Sequence, residues 1–353
     1  MTTVGELGER ALLARLLPLL KPSQPGTLRG PGDDAAILRM AGTGMAVSTD
    51  AAVEGVHFDL RYLSLAEAGV RALAASLGDL AATGATARAA LLGCGLRPEL
   101  AVADVEALFR AMAATARRFS FDLVGGDLVA SPRASFFDFT VLGEAPANPP
   151  SRTGANEGEL LVVTGDLGGA RAGLHFLSRG TRGLGKDEAA SRFRSPPIRL
   201  AEGRALVAGG VRVLTDISDG LAAELRCLAD ANPSLRFVVE SPRLPLGPGV
   251  TAAASAIGET PAHFSLVGGE DFELLACVAR EDLSALQDGL RGLGCRLGVV
   301  GRVEPASRLD SDEGRVCLDD GQGDGIESLE TFGYEHFAPP VDSNGLDGPA
   351  NPA

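Results

Sequence analysis

The chain has 353 residues, enough for two domains with separate cores. Its net charge of −14 argues against a general nucleic-acid or anionic-membrane binder, but bound divalent cations can invert a local potential, so a phosphorylated substrate is still allowed. Five cysteines lie scattered without a CxxC pair and read as free thiols in a reducing compartment. The N-terminus lacks a basic-then-apolar leader, and no apolar run approaches the roughly 18 residues that span a bilayer. The expectation is a soluble, cytoplasmic protein.

Residues 5–20 carry apolar side chains at helical spacing (Leu7, Ala11, Leu12, Leu16, Leu19), and 21–32 reads as a Pro/Gly loop. Gly32-Asp33-Asp34-Ala35-Ala36 then opens an apolar strand. Two neighbouring carboxylates at ~4 Å repel by about 4 kcal/mol at an effective dielectric near 20. If both face one pocket, something positive must offset that; a solvated Gly-Asp turn is the plain alternative. The next apolar run ends in Ser48-Thr49-Asp50, either three oxygen ligands at one sheet edge, a set that suits a hard cation such as magnesium, or a strand end whose hydroxyls satisfy loose backbone groups with Asp50 solvated. Residues 63–83 form one predicted helix. Ser76, Asp79 and Thr83 share its alanine-lined face, with Asp79 near the C-terminal end, where an anion either wants a cation or is simply solvated. A second helix covers 103–119. Phe121 to Asp127 reads as a strand ending in Gly125-Gly126-Asp127, where bare glycines let a backbone approach phosphate. Residues 136–143 are another strand.

Ala145–Pro150 is proline-rich and marks the expected domain boundary: 1–148, then 149–338, then a disordered tail over 339–353. Arg152 either holds a phosphate or caps a turn. Leu160–Thr164 is a buried strand that leads through a glycine turn into a helix reaching Leu177. Gly180–Lys186 matches a P-loop up to its last position. Asp187 then replaces the required Ser or Thr and a helix precedes it, so the match is rejected. A helix over 199–208 and a strand over 211–214 lead into Thr215-Asp216-Ile217-Ser218-Asp219-Gly220. Ser218 or Asp219 can cap the next helix, but alternation also puts Asp216 and Ser218 on one side. Further strands are expected at 236–240, up to Val278 after Gly268-Gly269-Glu270-Asp271-Phe272-Glu273, and at 296–303, with a helix over 282–293. Residues 310–324 fail the calcium-loop template and read as an acidic surface hairpin.

Taken in order, these motifs resemble thiamine-monophosphate kinase, within the superfamily of aminoimidazole-ribonucleotide synthetase-like ATP-using enzymes. The resemblance runs from about Gly5 to Phe337. It rests on Gly5-Glu6-Leu7, Gly32–Ala36, Ser48–Asp50 with Val53-Glu54-Gly55-Val56-His57-Phe58, Ser76–Ala85, Gly125–Asp127, Arg152–Ala155, Asp216–Leu221, Gly268–Leu274 and Gly333–Phe337. It implies ATP-dependent phosphorylation of thiamine monophosphate and a two-domain α/β fold (α+β in its segregation of elements). The N-terminal strands would join a partner's in a homodimer barrel, and the C-terminal domain would close the cleft. By motif match, Asp34, Ser48, Thr49, Asp50, Asp79, Asp127, Asp216 and Asp219 would hold several magnesium ions. Gly126, Asp127, Arg152 and Ser218 would contact ATP, and His57, Glu270 and Phe332 the substrate. Asp50 and Asp219 would act catalytically through metal. The sequence departs from the family at Leu128, where Thr is usual, at Gly78, where Ser is common, and near Thr331-Phe332, where the aromatic set against thiamine has no counterpart in exact register.

Phosphoryl transfer between two polyanions needs positioning and charge neutralisation more than a protein nucleophile. The expectation is direct in-line transfer to an already ionised phosphate oxygen. The alternatives are another ATP-using enzyme of the superfamily, or an inactive nucleotide or metal sensor.

Overall fold

The computed structural model describes residues 11, 14, 27–29, 33–40, 43–306, 315–321, 326–329 and 333–334. Most of the expected first helix, most of the loop after it, the expected disordered tail, Thr331 and Phe332 lie outside the described residues. The described chain divides into two compact units, one holding residues up to Ser76 with Ala87–Glu144, the other Leu77–Thr86 with Ala145–Tyr334.

The first unit is built on a six-stranded sheet: β1 (Thr27–Arg29), β2 (Ala36–Met40), β3 (Thr43–Val53), β4 (Thr86–Leu96), β5 (Asp122–Ala130) and β6 (Phe136–Glu144), in the order β1-β2-β3-β6-β4-β5. In β6, Phe137, Phe139 and Val141 are buried at alternate positions, the period of a strand with one core face. Helix α1 (Leu65–Ala82) starts at a capping box: the Ser64 N–H donates to Glu67 Oε2 at 2.7 Å, and the Glu67 N–H returns to Ser64 Oγ at 3.2 Å. Helix α2 (Val102–Phe119) is the crossover that lets β4 and β5 run parallel.

Two strand boundaries differ from expectation. β3 does not stop at Asp50; it pairs with β6 as far as Val53, opposite Phe136. β5 runs through Gly125-Gly126-Asp127 to Ala130, held by β4 with a register shift between Ala90 and Leu91. In both places the partner strand sets the length of the ladder, and a polar residue on one face of a strand does not end it. β4 itself was not foreseen. Its Ala/Gly-rich sequence carries little β-propensity, and its place comes from tertiary pairing.

The second unit holds a seven-stranded sheet: β7 (Leu160–Thr164), β8 (Val213–Ile217), β9 (Leu235–Glu240), β10 (Glu273–Val278), β11 (Leu297–Pro305), β12 (Val316–Asp319) and β13 (Ile326–Ser328), ordered β13-β12-β9-β11-β7-β10-β8. β7, β8 and β10 are buried along their whole length, but only β7 is apolar up to its closing Thr164; β8 buries Thr215 and Asp216, and β10 opens on buried Glu273. Helices α3 (Gly169–Arg179), α4 (Lys186–Arg194), α5 (Leu200–Ala208), α6 (Leu221–Ala231), α7 (Val250–Ile257), α8 (Pro261–Leu266) and α9 (Leu283–Gly292) complete the unit. α4, α7 and α8 are additional to those the sequence predicted. The described part of the acidic hairpin is not a detached surface feature: β12 pairs parallel with β9, and Val316 and Cys317 are buried.

Candidate active site

In the first unit the site residues gather on β2, β3, β5 and β6. The Asp33-Asp34 repulsion is met by a cation: Asp33 pairs with Arg29 at 3.4 Å and accepts the Asp34 N–H at 3.0 Å. Strand alternation then divides the Ser48-Thr49-Asp50 triplet. Ser48 and Asp50 share one face, and Thr49 points to the other. There the Thr49 hydroxyl donates to Asp138 Oδ1 at 2.9 Å and lies 3.2 Å from the Thr140 hydroxyl. Asp50 lies on the side of Ser76 in α1, whose hydroxyl donates to the Ala72 carbonyl at 3.4 Å. Burial pushes its carboxyl up from the ordinary range, Ser76 pulls against that, and the nearby Asp138 carboxylate adds to the rise. A carboxylate so placed gains from any cation that reaches it.

The turn after β3 holds His57 by its ring. The Val53 N–H donates to His57 Nδ1 at 3.0 Å, which leaves Nε2 as the protonated nitrogen of the neutral imidazole. Glu54 closes the same turn, accepting the Ser135 N–H at 2.9 Å and pairing with Arg97 at 3.0 Å. Asp127 is exposed on β5 and accepts the Leu128 N–H at 3.0 Å. Its neighbour Gly126 has φ +150, and a Cβ there would stand 1.9 Å from the Leu92 carbonyl oxygen. The close approach of β4 therefore demands this glycine.

In the second unit, Asp79 and Asp216 bring carboxylate oxygens within 4.8 Å of each other. Asp79 comes from the C-terminal end of α1 and Asp216 from the buried strand β8. Behind Asp216, the Arg152 Nε donates to the Thr215 hydroxyl at 3.4 Å, and its guanidinium pairs with buried Glu224 at 3.7 Å. Asn232 fixes the turn that carries Arg152, donating to the Arg152 carbonyl at 2.8 Å and accepting the Gly154 N–H at 2.9 Å.

The N-cap residue of α6 is Gly220 at φ 107, not Ser218 or Asp219. The Asp219 carbonyl accepts the Tyr334 N–H at 3.2 Å. Glu270 and Phe272 adopt φ +68 and +49, conformations that side-chain-bearing residues rarely hold. Their N–H groups donate to the Ser218 carbonyl at 2.6 Å and the Ile217 carbonyl at 2.9 Å.

Of the three acids of this loop, the family resemblance gave a role to Glu270 alone, and the sequence offered none for Asp271 and Glu273. Asp271 turns inward and accepts the N–H groups of Gly168 at 2.6 Å and Ala170 at 3.2 Å; burial pushes its carboxyl up to about 7. Glu273 is wholly buried among the Thr164 hydroxyl at 2.6 Å, the Arg199 Nε at 2.7 Å and Arg192. The available signal was Glu273's position as the first residue of an otherwise apolar strand.

Residues 32–145 match the family model described as AIR synthase related protein, N-terminal domain. Together with the two-sheet architecture, this places the protein in the AIR-synthase-related class. The thiamine-monophosphate kinase of Mycobacterium tuberculosis (strain CDC 1551 / Oshkosh) is 34% identical, over 94% of this chain and 93% of that protein. The kinase of Synechococcus elongatus is 35% identical, over 95% and 98% respectively. A solved structure described as "AaThiL complexed with AMPPCP and TMP" superposes with TM-score 0.80 at 25% identity, covering 95% of this chain and 99% of that one. The chain belongs to the thiamine-monophosphate kinase family.

Proposed function

We propose that the protein transfers the γ-phosphoryl group of ATP to thiamine monophosphate, giving thiamine diphosphate and ADP. The observation that carries this is the Asp79–Asp216 carboxylate pair within 4.8 Å, in a chain of this family. The similar structure described with AMPPCP and TMP supports the same two ligand classes here, read as an ATP analogue and thiamine monophosphate.

The donor set fits magnesium. The acids and hydroxyls are all oxygen ligands, and the buried Asp216 carboxylate beside Asp79 is a costly arrangement that a hard cation relieves. In the first unit Asp34, Ser48, Asp50 and Asp127 are the proposed magnesium ligands, with Thr49 limited to its backbone carbonyl. In the second they are Asp79, Asp216 and Asp219. Bound magnesium would neutralise the phosphate charge that otherwise keeps two polyanions apart.

The chain's own groups do the positioning. The Gly126–Asp127 backbone, Arg152 and Ser218 receive ATP. His57 offers its Nε2–H to the acceptor, and Glu270 faces the same substrate. The acceptor oxygen is already ionised, so no protein base is required, and transfer is direct, without a phosphoenzyme. Among the described residues no helix is long and apolar enough to cross a membrane, and we place the protein in the cytoplasm. Edge strand β5 exposes Val124, Leu128 and Val129, which supports a homodimer through this unit.

The test is ADP release with magnesium-ATP and either thiamine monophosphate or free thiamine, run beside Asp50→Asn. Turnover with the monophosphate alone, lost in the variant, is the expected result. Label from γ-labelled ATP retained covalently on the protein would overturn direct transfer.

A further inference from the structure

On the reading above that Glu270 faces the phosphate acceptor, we propose that Arg171, braced by Glu259, is a positioning residue that fixes the Gly268–Phe272 loop and through it the substrate side of the site. Arg171 lies in the first turn of α3, outside every motif the sequence singled out. Its guanidinium grips Glu259 with two bonds, at 2.8 and 3.0 Å, and donates to the Phe264 carbonyl at 3.1 Å. It also stacks 4.1 Å from the centre of the Phe264 ring. Both partners of the ion pair are largely buried, with side chains 15% and 19% exposed. A bidentate, stacked, desolvated guanidinium is rigid in a way that a surface arginine is not.

The stem of that arginine touches the loop. Its Cβ and Cδ lie 3.3 and 3.4 Å from where a Cβ on Gly268 would stand. The next residue, Gly269, is pressed against the far side: a Cβ on it would fall 2.8 Å from the Ser218 carbonyl oxygen. Glu270 follows at φ +68 and clips to that carbonyl by its own N–H. Asp271 then returns to the first turn of α3 through the Gly168 and Ala170 N–H groups. Helix α3 thus holds the loop on both sides of Glu270, at Gly268 through Arg171 and at Asp271. A left-handed non-glycine residue persists only where its surroundings over-determine it, and here the Arg171 brace is one of two anchors. Ser218 is joined to the loop through its backbone carbonyl, which accepts the Glu270 N–H, and Asp219 has a tie outside the loop, its carbonyl accepting the Tyr334 N–H. Loss of the brace should therefore be felt by the acceptor more than by ATP.

The experiment is steady-state kinetics on the full chain with magnesium-ATP and thiamine monophosphate, for the wild type, Arg171→Met, Arg171→Lys and Glu259→Gln, with melting temperatures alongside. The expected result is a KM for the monophosphate raised roughly ten-fold in Arg171→Met and Glu259→Gln, with KM for ATP and kcat held within about two-fold. Arg171→Lys keeps the charge but loses the fork and the stack, and should fall between. An unchanged monophosphate KM in folded variants overturns the proposal. So does an equal loss in both substrates' KM, or unfolding of both Arg171→Met and Glu259→Gln at the assay temperature, since each marks a purely structural brace. A wild type that turns over no thiamine monophosphate would instead overturn the functional reading on which the proposal rests.

Discussion

Asp216 Oδ2 lies 2.6 Å from the point where a Cβ on Gly78 would stand. The helix carrying Asp79 therefore approaches β8 closely only because the residue before Asp79 has no side chain. Gly78→Ala should leave the fold intact, because a carboxylate can swing aside where backbone cannot, but it should displace Asp216. The expected outcome is a melting temperature near that of the wild type, a higher magnesium requirement, and a fall in kcat of roughly ten- to a hundred-fold, the scale of a misplacement of about 1 Å. Titrating activity against magnesium concentration checks it.

Asp50 separates function from stability. Burial and the Asp138 carboxylate both disfavour its ionised form, and its folded pKa stands above the unfolded value of 3.8. Its contribution to stability is present below that value and lost as pH rises through the folded pKa. Metal-free Asp50→Asn should therefore melt higher than metal-free wild type at neutral pH, while losing turnover. Calorimetry with and without magnesium would show it, and magnesium should raise the wild-type melting temperature more than the variant's.

Asp271 should give the free protein a pH dependence near neutrality. Its carboxyl is raised by burial to about 7 despite two backbone donors. The sign is the same as for Asp50: stability from this group is full below 3.8 and is lost as pH rises through about 7. Chemical unfolding at a series of pH values between these limits should show stability declining toward neutrality, and Asp271→Asn should flatten that part of the profile.

Glu273 anchors the second unit through Arg192, Arg199 and Thr164 without being available to solvent. Glu273→Gln leaves two guanidinium groups short of a partner in a desolvated place. The expected cost is about 3–5 kcal/mol of unfolding free energy, the range for breaking a buried pair from one side. Urea unfolding of the two proteins measures it.

Sequence alone carried the ordered acidic motifs, the residue types able to hold a hard cation, and the elements with strong patterning. β6, the largely apolar β7 and helix α1 were legible because burial on one or both faces writes its pattern into the residues themselves. Tertiary structure decided what has no local signal. β4 exists because its neighbours offer it backbone partners. β3 and β5 outrun their polar residues because a ladder, not polarity, sets strand length. Thr49 parts from Asp50 because alternation on β3 turns adjacent side chains to opposite faces. Of the loop acids, Asp271 and Glu273 became internal anchors, because only the packed neighbours, the first turn of α3 and the guanidinium groups of Arg192 and Arg199, determine which charges can be buried.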